Sequence, residues 1–455
     1  MPEASIIYWD CYAVPVFFLG VLARMLHTNL SKNESGHLTF AGMDVTGLAE
    51  KYGTPLYLVD EDRIRRNCRM YQDAMARVFG AGSSATYAGK ALCFTEMYRV
   101  LADEHMGADV VSGGELYTAL RAGYPPEKLY LHGNHKNDWE LELALDHKIG
   151  HVMVDNAYEL ERLDQMAGAR GVRVKVMIRL APGIDSHTFE AVNTGKIDSQ
   201  FGVPIATGQA RELYLLARAA KNIDLDGIHC HIGSQIWDEN AYVLAAEKMV
   251  AFFADMAKET GAALEYLNLG GGFPVRYLES DPPIDIPARI ALLGDVVKNA
   301  CAARGIAVPR VILEPGRSIV ADAGLTVYRA GAVKEIRGYR TYAIIDGGMN
   351  DNIRHALYGA AYTVYNASRV DAPADFVCTV TGRCCESGDM ISEGVSIPQI
   401  TPGDYIAVAV TGAYNYSMSL NYNRVPRPPI VMLKSGADRL AVKRETLEDI
   451  VRNDV

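Results

Sequence analysis

Residues 83–91 read Ser-Ser-Ala-Thr-Tyr-Ala-Gly-Lys-Ala, which indicates a short buried strand that ends at a lysine. We predict the strand over Ala85–Ala88 and an apolar helix over Ala91–Ala102, with Lys90 between them. Burial lowers the pKa of a lysine, and a neutral amine can form a Schiff base with an aldehyde. Taken alone, a surface lysine at a strand end is the simpler interpretation.

The later part of the chain repeats the alternation of strand and helix. Seven more strands are predicted at Ala108–Val111, Leu129–His132, His151–Val154, Val174–Leu180, Gly227–His231, Tyr266–Leu269 and Val311–Glu314. Eight strands separated by helices over roughly 250 residues are typical of an α/β fold of the TIM-type (β/α)8 barrel class. A doubly wound open sheet shows the same alternation. After Arg317 the pattern becomes β-rich, which predicts a mainly β C-terminal domain.

These patterns divide the chain into three parts. We expect an N-terminal extension over 1–36, a cofactor-binding barrel over 61–317, and a β domain formed by 37–60 and 318–455 that completes the active site. The segment Ile6–Leu26 is apolar, but Asp10, Pro15 and Arg24 make it a poor membrane span, and it lacks the features of a signal peptide. We expect it to pack on the body of the protein or to be partly disordered.

Composition limits the classes of function. The chain has 455 residues, 49% of them hydrophobic, and a net charge of −10. This charge argues against nucleic acid as a partner. The eight cysteines form no Cys-x2-Cys pair, so no metal site is predicted. A large chain with scattered cysteines suits a reducing cytoplasm, and no membrane association is expected.

The predicted strands end in polar residues, and the active site of such a barrel lies at that end of its strands. In chain order these ends hold Lys90, Ser112-Gly113-Gly114, His132-Gly133-Asn134, Asp155, Arg179, His231-Ile232-Gly233-Ser234, Gly270-Gly271-Gly272 and Glu314-Pro315-Gly316-Arg317. Purely structural strand ends would not be polar so consistently.

Together these groups match the chemistry of pyridoxal phosphate. Lys90 would hold the aldehyde, and backbone N–H groups of the loop with Gly271 and Gly272 would hold the phosphate. His231 would stack on the ring, and Glu314 would keep the pyridine nitrogen protonated, which makes the ring an electron sink. Singly, each piece has an ordinary explanation, such as a tight turn, a core histidine or an ion pair.

The same segments carry a family resemblance. The motifs are Tyr87-Ala-Gly-Lys90, Gly107-Ala-Asp-Val-Val-Ser-Gly-Gly-Glu-Leu116, His229-Cys-His-Ile-Gly-Ser-Gln235, Gly270-Gly-Gly-Phe273, Glu314-Pro-Gly-Arg317, Asp346-Gly-Gly-Met-Asn-Asp-Asn-Ile-Arg354, Cys385-Glu-Ser-Gly-Asp389 and Gly412-Ala-Tyr414. In this order they resemble the fold-type III pyridoxal phosphate-dependent decarboxylases, and within them the diaminopimelate decarboxylases. The resemblance covers roughly residues 37–455.

The resemblance implies an activity and a set of roles. The activity is decarboxylation of meso-2,6-diaminopimelate to L-lysine and CO2, the last step of lysine biosynthesis. Cofactor contacts are implied for Asp109, Arg179, Ser234 and Tyr414, and substrate contacts for Arg317, Arg354, Tyr358, Glu386 and Tyr414. Cys385 and Glu386 are expected in the site of a neighbouring subunit, so a homodimer is implied. Thr194–Gly202 resembles the family's mobile loop near the substrate.

Several alternatives stay open at this point. The proton that replaces CO2 could come from Cys385, Lys90 or His231. The substrate could be another basic amino acid, such as ornithine, arginine, D-lysine or carboxynorspermidine, although Arg354 with Tyr358 favours a substrate with a distal carboxylate. Glu314 argues against alanine racemase. A non-catalytic pyridoxal phosphate-binding regulator would usually have lost Lys90 or the Cys385-Glu386 pair.

Overall fold

The computed structural model describes residues 25–185, 194–262 and 264–455. Three short strands form a small antiparallel sheet, β1 (Leu30–Lys32), β2 (Leu38–Phe40) and β3 (Met43–Asp44), and helix α1 follows over Val45–Tyr52. The end of the predicted N-terminal extension packs on the body, because the Leu26 backbone N–H donates to the Tyr365 hydroxyl at 3.1 Å. Most of the apolar segment predicted over Ile6–Leu26 lies outside the described residues. Within them, no helix is long and apolar enough to span a bilayer.

Strand β4 (Leu56–Asp60) leads directly into helix α2 (Glu61–Phe79). Asp60 caps this helix, since its carboxylate accepts a hydrogen bond from the Arg63 backbone N–H at 2.9 Å. The buried face of α2 includes Ile64, Cys68, Tyr71 and Met75, which is the helical spacing seen in the sequence. Helix α2 therefore connects β4 to the barrel, and its apolar face packs in the same hydrophobic core as both.

The barrel alternates strands and helices in chain order. Its elements are β5 (Ser84–Ala88), α3 (Thr95–Asp103), β6 (Gly107–Val110), α4 (Gly113–Arg121), β7 (Leu129–Leu131), α5 (Asp138–Asp146), β8 (His151–Val154), α6 (Ala157–Ala169), β9 (Val174–Ala181), β10 (Val203–Pro204), α7 (Gln209–Ala219), β11 (Ile223–His229), α8 (Glu239–Thr260), β12 (Tyr266–Asn268), α9 (Ile286–Ala303) and β13 (Arg310–Leu313).

Eight of these strands form a closed parallel sheet. The pairing runs β9-β11-β12-β13-β5-β6-β7-β8 and returns to β9, while the short β10 pairs with β9 outside this ring. Closure is seen at β13 and β5, where Leu313 pairs with Ala85. The TIM-type barrel is thus confirmed, and the open doubly wound sheet is excluded.

The segment after Lys90 differs from its prediction. The helix expected from Ala91 begins only at Thr95, and Gly89–Ala91 forms a single 3-10 turn. Leu92 and Phe94 are extended, with φ values of −158° and −161°. At Gly89 an added Cβ would lie 2.5 Å from the Asp109 carbonyl oxygen, so the chain makes a tight turn at the barrel rim before the helix starts.

The remainder of the chain is mainly β, as predicted. Its elements are α10 (Arg317–Val320), β14 (Gly324–Ile336), β15 (Arg340–Ile345), α11 (Arg354–Tyr358), β16 (Val364–Asn366), β17 (Phe376–Thr381), β18 (Met390–Ile397), β19 (Tyr405–Ala409), β20 (Ile430–Lys434), β21 (Ala437–Val442) and α12 (Leu447–Val451). The sheet order is β18-β17-β15-β14-β4-β20-β21, with β19 pairing to β14 and β16. Strand β4 is therefore an interior strand of the later sheet.

A buried carboxyl group lies under the turn that leads into α11. Asp351 accepts hydrogen bonds from the Tyr328 hydroxyl at 2.5 Å and the Gly348 backbone N–H at 3.2 Å. Burial raises the pKa of Asp351 to about 7. Native Asp351 thus keeps its proton over a pH range in which an unfolded aspartate is ionised.

This carboxyl group predicts a pH dependence of stability. Between about pH 4 and pH 7 the native protein binds one proton more at Asp351 than the unfolded chain does. The contribution of Asp351 to the free energy of unfolding therefore falls as the pH rises through this range, and it is constant above pH 7. Asparagine does not titrate. As the pH rises within that range, we therefore expect the free energy of unfolding of Asp351→Asn to increase relative to that of the wild type by about 1.4 kcal/mol per pH unit. Urea unfolding from pH 5 to pH 9 measures the difference. The exposed Asp73→Asn is the control, and a difference that does not change with pH would contradict the prediction.

Candidate active site

The predicted cofactor residues meet at the C-terminal ends of the barrel strands. Five of them, Lys90, Asp109, Arg179, His231 and Glu314, line a cavity of about 200 Å³ together with His132, Thr194, Phe201 and His229. The other four, Ser234, Gly271, Gly272 and Tyr414, are not part of its walls. Lys90 lies on the 3-10 turn after β5, as expected from its position, but its side chain is exposed. The expectation of a buried lysine is therefore wrong, because the turn carries Lys90 out of the strand to the cavity rim.

Glu314 follows β13 and is held by neighbouring donors. Its carboxylate lies 3.0 Å from His229 Nε2 and accepts a hydrogen bond from Asn268 Nδ2 at 2.6 Å. Burial by itself raises the pKa of Glu314, but His229 and His132 outweigh burial and hold that pKa well below its usual range. Glu314 is thus an ionised acceptor at neutral pH.

His132 and Asp109 complete the buried polar group around Glu314. His132 Nε2 lies 3.3 Å from Glu314 Oε1 and 3.7 Å from Asp109 Oδ1. Burial lowers the pKa of His132 to about 4, so this imidazole is neutral at neutral pH. Burial and the charge of Glu314 raise the pKa of Asp109 well above its usual range. These opposite shifts favour the ionised form at Glu314 over the ionised form at Asp109.

His231 is a neutral imidazole beside the glycine loop. Its Nδ1 accepts a hydrogen bond from the Gly271 backbone N–H at 3.2 Å, which assigns the proton to Nε2. Burial, with the nearby charges of Lys90 and Arg179, lowers the pKa of His231 well below its usual value.

The loop admits no side chain. An added Cβ at Gly271 would lie 2.1 Å from the Glu314 carbonyl oxygen, and one at Gly272, where φ is +104°, would lie 2.7 Å from the Gly233 carbonyl oxygen. Glycine is therefore required where this loop packs so closely against the main chain of the neighbouring strand ends.

Arg179 closes one side of the cavity. Its guanidinium lies 4.8 Å from the centre of the Phe201 ring and 4.0 Å from Asp155. The same aspartate accepts a hydrogen bond from the Gly202 backbone N–H at 2.9 Å. Residues 194–202 are thereby joined to the barrel, and the Thr194 hydroxyl donates to the His231 carbonyl oxygen at 2.7 Å.

A pair of buried arginines lies where the barrel meets the β domain. Arg317 Nε and Nη2 lie 3.2 and 2.9 Å from the Ser234 hydroxyl, which is also hydrogen-bonded to Tyr414. Arg317 Nη1 donates to the Tyr277 hydroxyl at 2.7 Å, and Arg354 Nη1 donates to the same oxygen at 3.2 Å. Arg317 and Arg354, here called the arginine pair, therefore share one acceptor.

The arginine pair is not neutralised by protein carboxylates. Within the described residues, neither guanidinium lies at ion-pair distance from an acidic side chain, and Arg354 Nε is buried without a hydrogen-bond partner. Tyrosine rings surround the pair, with the Tyr358 and Tyr414 centres 5.8 and 5.7 Å from Arg354 Cζ. Two buried cations of this kind suit a carboxylate or phosphate ligand.

Cys385 and Glu386 lie apart from this cavity. Both are exposed on the loop between β17 and β18, and the Cys385 backbone N–H donates to Asn423 Oδ1 at 2.7 Å. Asp389 holds the loop, since its carboxylate accepts hydrogen bonds of 2.6 Å from the Met349 and Cys384 backbone N–H groups. Neither residue lines the cavity of its own chain.

Comparison with known proteins agrees with this arrangement. A family model described as the pyridoxal binding domain of pyridoxal-dependent decarboxylases matches residues 61–321. Diaminopimelate decarboxylase of Bacillus subtilis (strain 168) is 43% identical over 430 residues, which cover 94% of this chain and 98% of the relative. This chain belongs to the diaminopimelate decarboxylase family.

Solved structures of the family share the whole architecture. Diaminopimelate decarboxylase from M. jannaschii superposes with a TM-score of 0.86 at 32% identity, covering 94% of this chain and 98% of the other. The enzyme from Helicobacter pylori, complexed with L-lysine, superposes with a TM-score of 0.81 at 32% identity, covering 90% and 98%. Pyridoxal phosphate is accordingly the cofactor of this decarboxylase family member, and the side-chain-free glycine loop and the ionised Glu314 fit its phosphate and pyridine nitrogen.

Several residues of the site were not assigned a role from the sequence, and three of them show what signal was available. His229 is two residues from His231, and since side chains alternate along a strand, this spacing was a usable signal that both face one side. Asn268 is the last residue of β12 and could have been included with the other strand ends. Tyr277 lies in an irregular loop and has no comparable signal.

Proposed function

We propose that this chain catalyses the pyridoxal phosphate-dependent decarboxylation of meso-2,6-diaminopimelate to L-lysine and CO2, the last step of lysine biosynthesis. The observation that carries the proposal is the arginine pair, which is buried close to the cofactor cavity and has no acidic partner among the residues that the structure describes. A second amino acid centre at the far end of the substrate supplies the missing carboxylate. Decarboxylases that form simple diamines have no such group to bind.

We propose one task for each residue that is predicted to bind the cofactor. When bound, pyridoxal phosphate supplies an aldehyde for the substrate amine and a ring that accepts the electrons of the breaking C–C bond. We assign Lys90 to the aldehyde, His231 to the ring face, Glu314 to the pyridine nitrogen, Asp109 and Arg179 to the ring surroundings, and Ser234, Gly271, Gly272 and Tyr414 to the phosphate.

The protonation states support these assignments. Glu314 is an ionised acceptor that His229 and Asn268 hold in place, so it can keep a proton on the pyridine nitrogen. His231 is neutral, which suits an imidazole lying flat against a cationic ring. Arg317 contacts Ser234 on one side and Tyr277 on the other. It therefore adjoins both the phosphate site and the site for the distal carboxylate.

We assign the distal end of the substrate to groups of opposite charge. Arg354 and Arg317 would bind its carboxylate, with Tyr358 and Tyr414 beside them, and Glu386 would bind its ammonium group. Arginine binds a carboxylate through two parallel N–H donors, which selects both charge and orientation. L-lysine retains this carboxylate, so the product should bind the same groups.

The exposed position of Glu386 supports a homodimer with shared active sites. Two inactive variants, Lys90→Ala and Glu386→Gln, provide the test. If Glu386 serves the neighbouring subunit, random mixing after dissociation should restore about a quarter of wild-type activity, because half of the dimers are hybrids with one intact site. No recovery on mixing, with hybrid dimers verified by mass spectrometry, would show that Glu386 serves its own subunit.

The activity itself is tested by CO2 release from the holoenzyme with meso-diaminopimelate, lysine, ornithine or arginine. We expect release from diaminopimelate alone, with L-lysine as the product. Release from ornithine, arginine or lysine instead would refute the role of the arginine pair while keeping the fold and cofactor. The variants Cys385→Ser and His231→Gln then test the two candidate proton donors other than Lys90.

We propose a cytoplasmic location for this reaction. Seven cysteines in the described part of the chain are free, including the exposed Cys385 next to Cys384. Adjacent and exposed thiols persist in reducing compartments. Expression of a fluorescent fusion followed by cell fractionation tests the location.

A further inference from the structure

Tyr277 is the residue that joins the arginine pair. Its hydroxyl oxygen accepts hydrogen bonds from Arg317 Nη1 at 2.7 Å and Arg354 Nη1 at 3.2 Å. Arg317 begins α10 at the end of the barrel, and Arg354 begins α11 within the β domain. One tyrosine oxygen therefore connects cations that come from two parts of the fold.

The contact with Tyr277 matters differently to the two arginines. Arg317 keeps two further contacts with the Ser234 hydroxyl. The other acceptors of Arg354 Nη1, the Tyr362 hydroxyl and the Ala413 carbonyl oxygen, both lie at 3.3 Å. Tyr277 thus supplies one of the three acceptors that lie 3.2 or 3.3 Å from Arg354 Nη1, and its loss would leave that guanidinium with the two contacts of 3.3 Å.

The charges of the two arginines also favour an electron-rich group between them. Two guanidinium groups within hydrogen-bonding distance of one atom repel each other, and a buried site screens that repulsion poorly. The electron-rich phenol oxygen lies between them. Burial raises the pKa of Tyr277, but the two arginines outweigh burial and lower it, which agrees with a hydroxyl that accepts from both.

The main chain at Tyr277 is held from two sides. Its N–H donates to Asp281 Oδ2 at 2.7 Å, and its carbonyl oxygen accepts from the Thr363 hydroxyl at 2.8 Å. The ring lies edge-on to Tyr362, with the ring centres 5.5 Å apart. Asp281 belongs to the same loop as Tyr277, and Thr363 belongs to the β domain, so the position of the hydroxyl is determined by both.

We propose that Tyr277 is a positioning residue that sets the separation of Arg317 and Arg354, and thereby the affinity for the distal carboxylate of the substrate. The inference rests on the proposed function. Tyr277 acts through the arginines, so its removal should weaken ligands that carry the distal carboxylate and leave ligands without it unaffected.

The test uses Tyr277→Phe in the holoenzyme, because this change removes the shared oxygen and keeps the ring. We expect KM for meso-diaminopimelate to rise about 10- to 100-fold, the range for lost hydrogen bonds to charged groups, with a much smaller change in kcat. In titration calorimetry, L-lysine should bind more weakly by a similar factor. Binding of 1,5-diaminopentane, which lacks the carboxylate, should not change.

The matched control is Tyr124→Phe. Tyr124 is also a buried tyrosine, its hydroxyl donates to the Met106 carbonyl oxygen, and no hydrogen bond or ring contact joins it to the arginine pair in the described part of the chain. Equal L-lysine affinity in the two variants would overturn the proposal, as would equal weakening of L-lysine and 1,5-diaminopentane by Tyr277→Phe. Failure of the wild-type enzyme to release CO2 from diaminopimelate would instead refute the proposed function.

A second variant covers the case in which Tyr277→Phe does not fold. Asp281→Ala removes the acceptor of the Tyr277 and Leu278 backbone N–H groups from a half-buried loop, so the ring stays in the core while the position of its hydroxyl relaxes. We expect the same selective loss of L-lysine affinity, of smaller size. Unchanged L-lysine affinity in Asp281→Ala would overturn the proposal.

Discussion

Lys90→Ala should abolish CO2 release from meso-diaminopimelate, with kcat/KM lower by about 10³-fold or more, while the protein stays folded. Lys90 provides the only ammonium group among the described residues that line the cavity. Its side chain is exposed and forms no ion pair or hydrogen bond with the described residues. Removing it should therefore change the free energy of unfolding by less than about 0.5 kcal/mol.

Two further variants make this result specific. Lys90→Arg keeps a positive charge but no nucleophilic amine, and it should be as inactive as Lys90→Ala. Lys175→Ala removes another exposed lysine, at the start of β9, and should retain full activity. If Lys90→Arg retained substantial CO2 release, charge rather than nucleophilicity would be the contribution of Lys90. The measurement is CO2 release, with urea unfolding to verify stability.

Arg354→Lys should raise KM for meso-diaminopimelate about 100-fold and affect kcat less. Lysine keeps the positive charge but lacks the planar set of donors, of which Nη1 alone contacts Tyr277, Tyr362 and the Ala413 carbonyl oxygen. The distal carboxylate would then meet one mobile point charge instead of a fixed pair of donors. Since Arg354 has an unpartnered buried Nε, a ligand contact is lost in addition to internal ones.

The control for Arg354→Lys is Arg337→Lys, at an exposed position after β14. We expect Arg337→Lys to match the wild type in steady-state kinetics. The selectivity between diaminopimelate and ornithine should also fall in Arg354→Lys, since ornithine lacks a second carboxylate. A variant with unchanged KM and unchanged selectivity would show that Arg354 only supports the fold.

The barrel could be predicted because its signals are local and repeated. Each of the eight predicted strands overlaps an observed strand, for example Ala85–Ala88 within β5 and His151–Val154 as β8. Buried parallel strands are short apolar runs, and the helices between them carry amphipathic spacing. The residues at the strand ends could likewise be grouped, since a closed parallel barrel brings all of its carboxyl ends to one rim.

The remaining differences depend on contacts between distant parts of the chain. The 3-10 turn at Lys90 follows from the close approach of Gly89 to Asp109, which belongs to the next strand. Tyr277 meets Arg354 only because the β domain packs against the barrel rim. No periodicity in the sequence encodes such a meeting. The roles of Cys385 and Glu386 remain predictions, because their exposed loop lies outside the cavity of the same chain.

The interior position of β4 has a consequence for synthesis of the protein. Residues Leu56–Asp60 leave the ribosome before the barrel, but their partners β14 and β20 begin only at Gly324 and Ile430. The nascent chain must therefore carry a buried-type strand with no hydrogen-bonding partner while the whole barrel is being made. Such a strand is a site for mispairing. Strand β4 can therefore reach its native pairing only after the barrel and both of these later strands have been made.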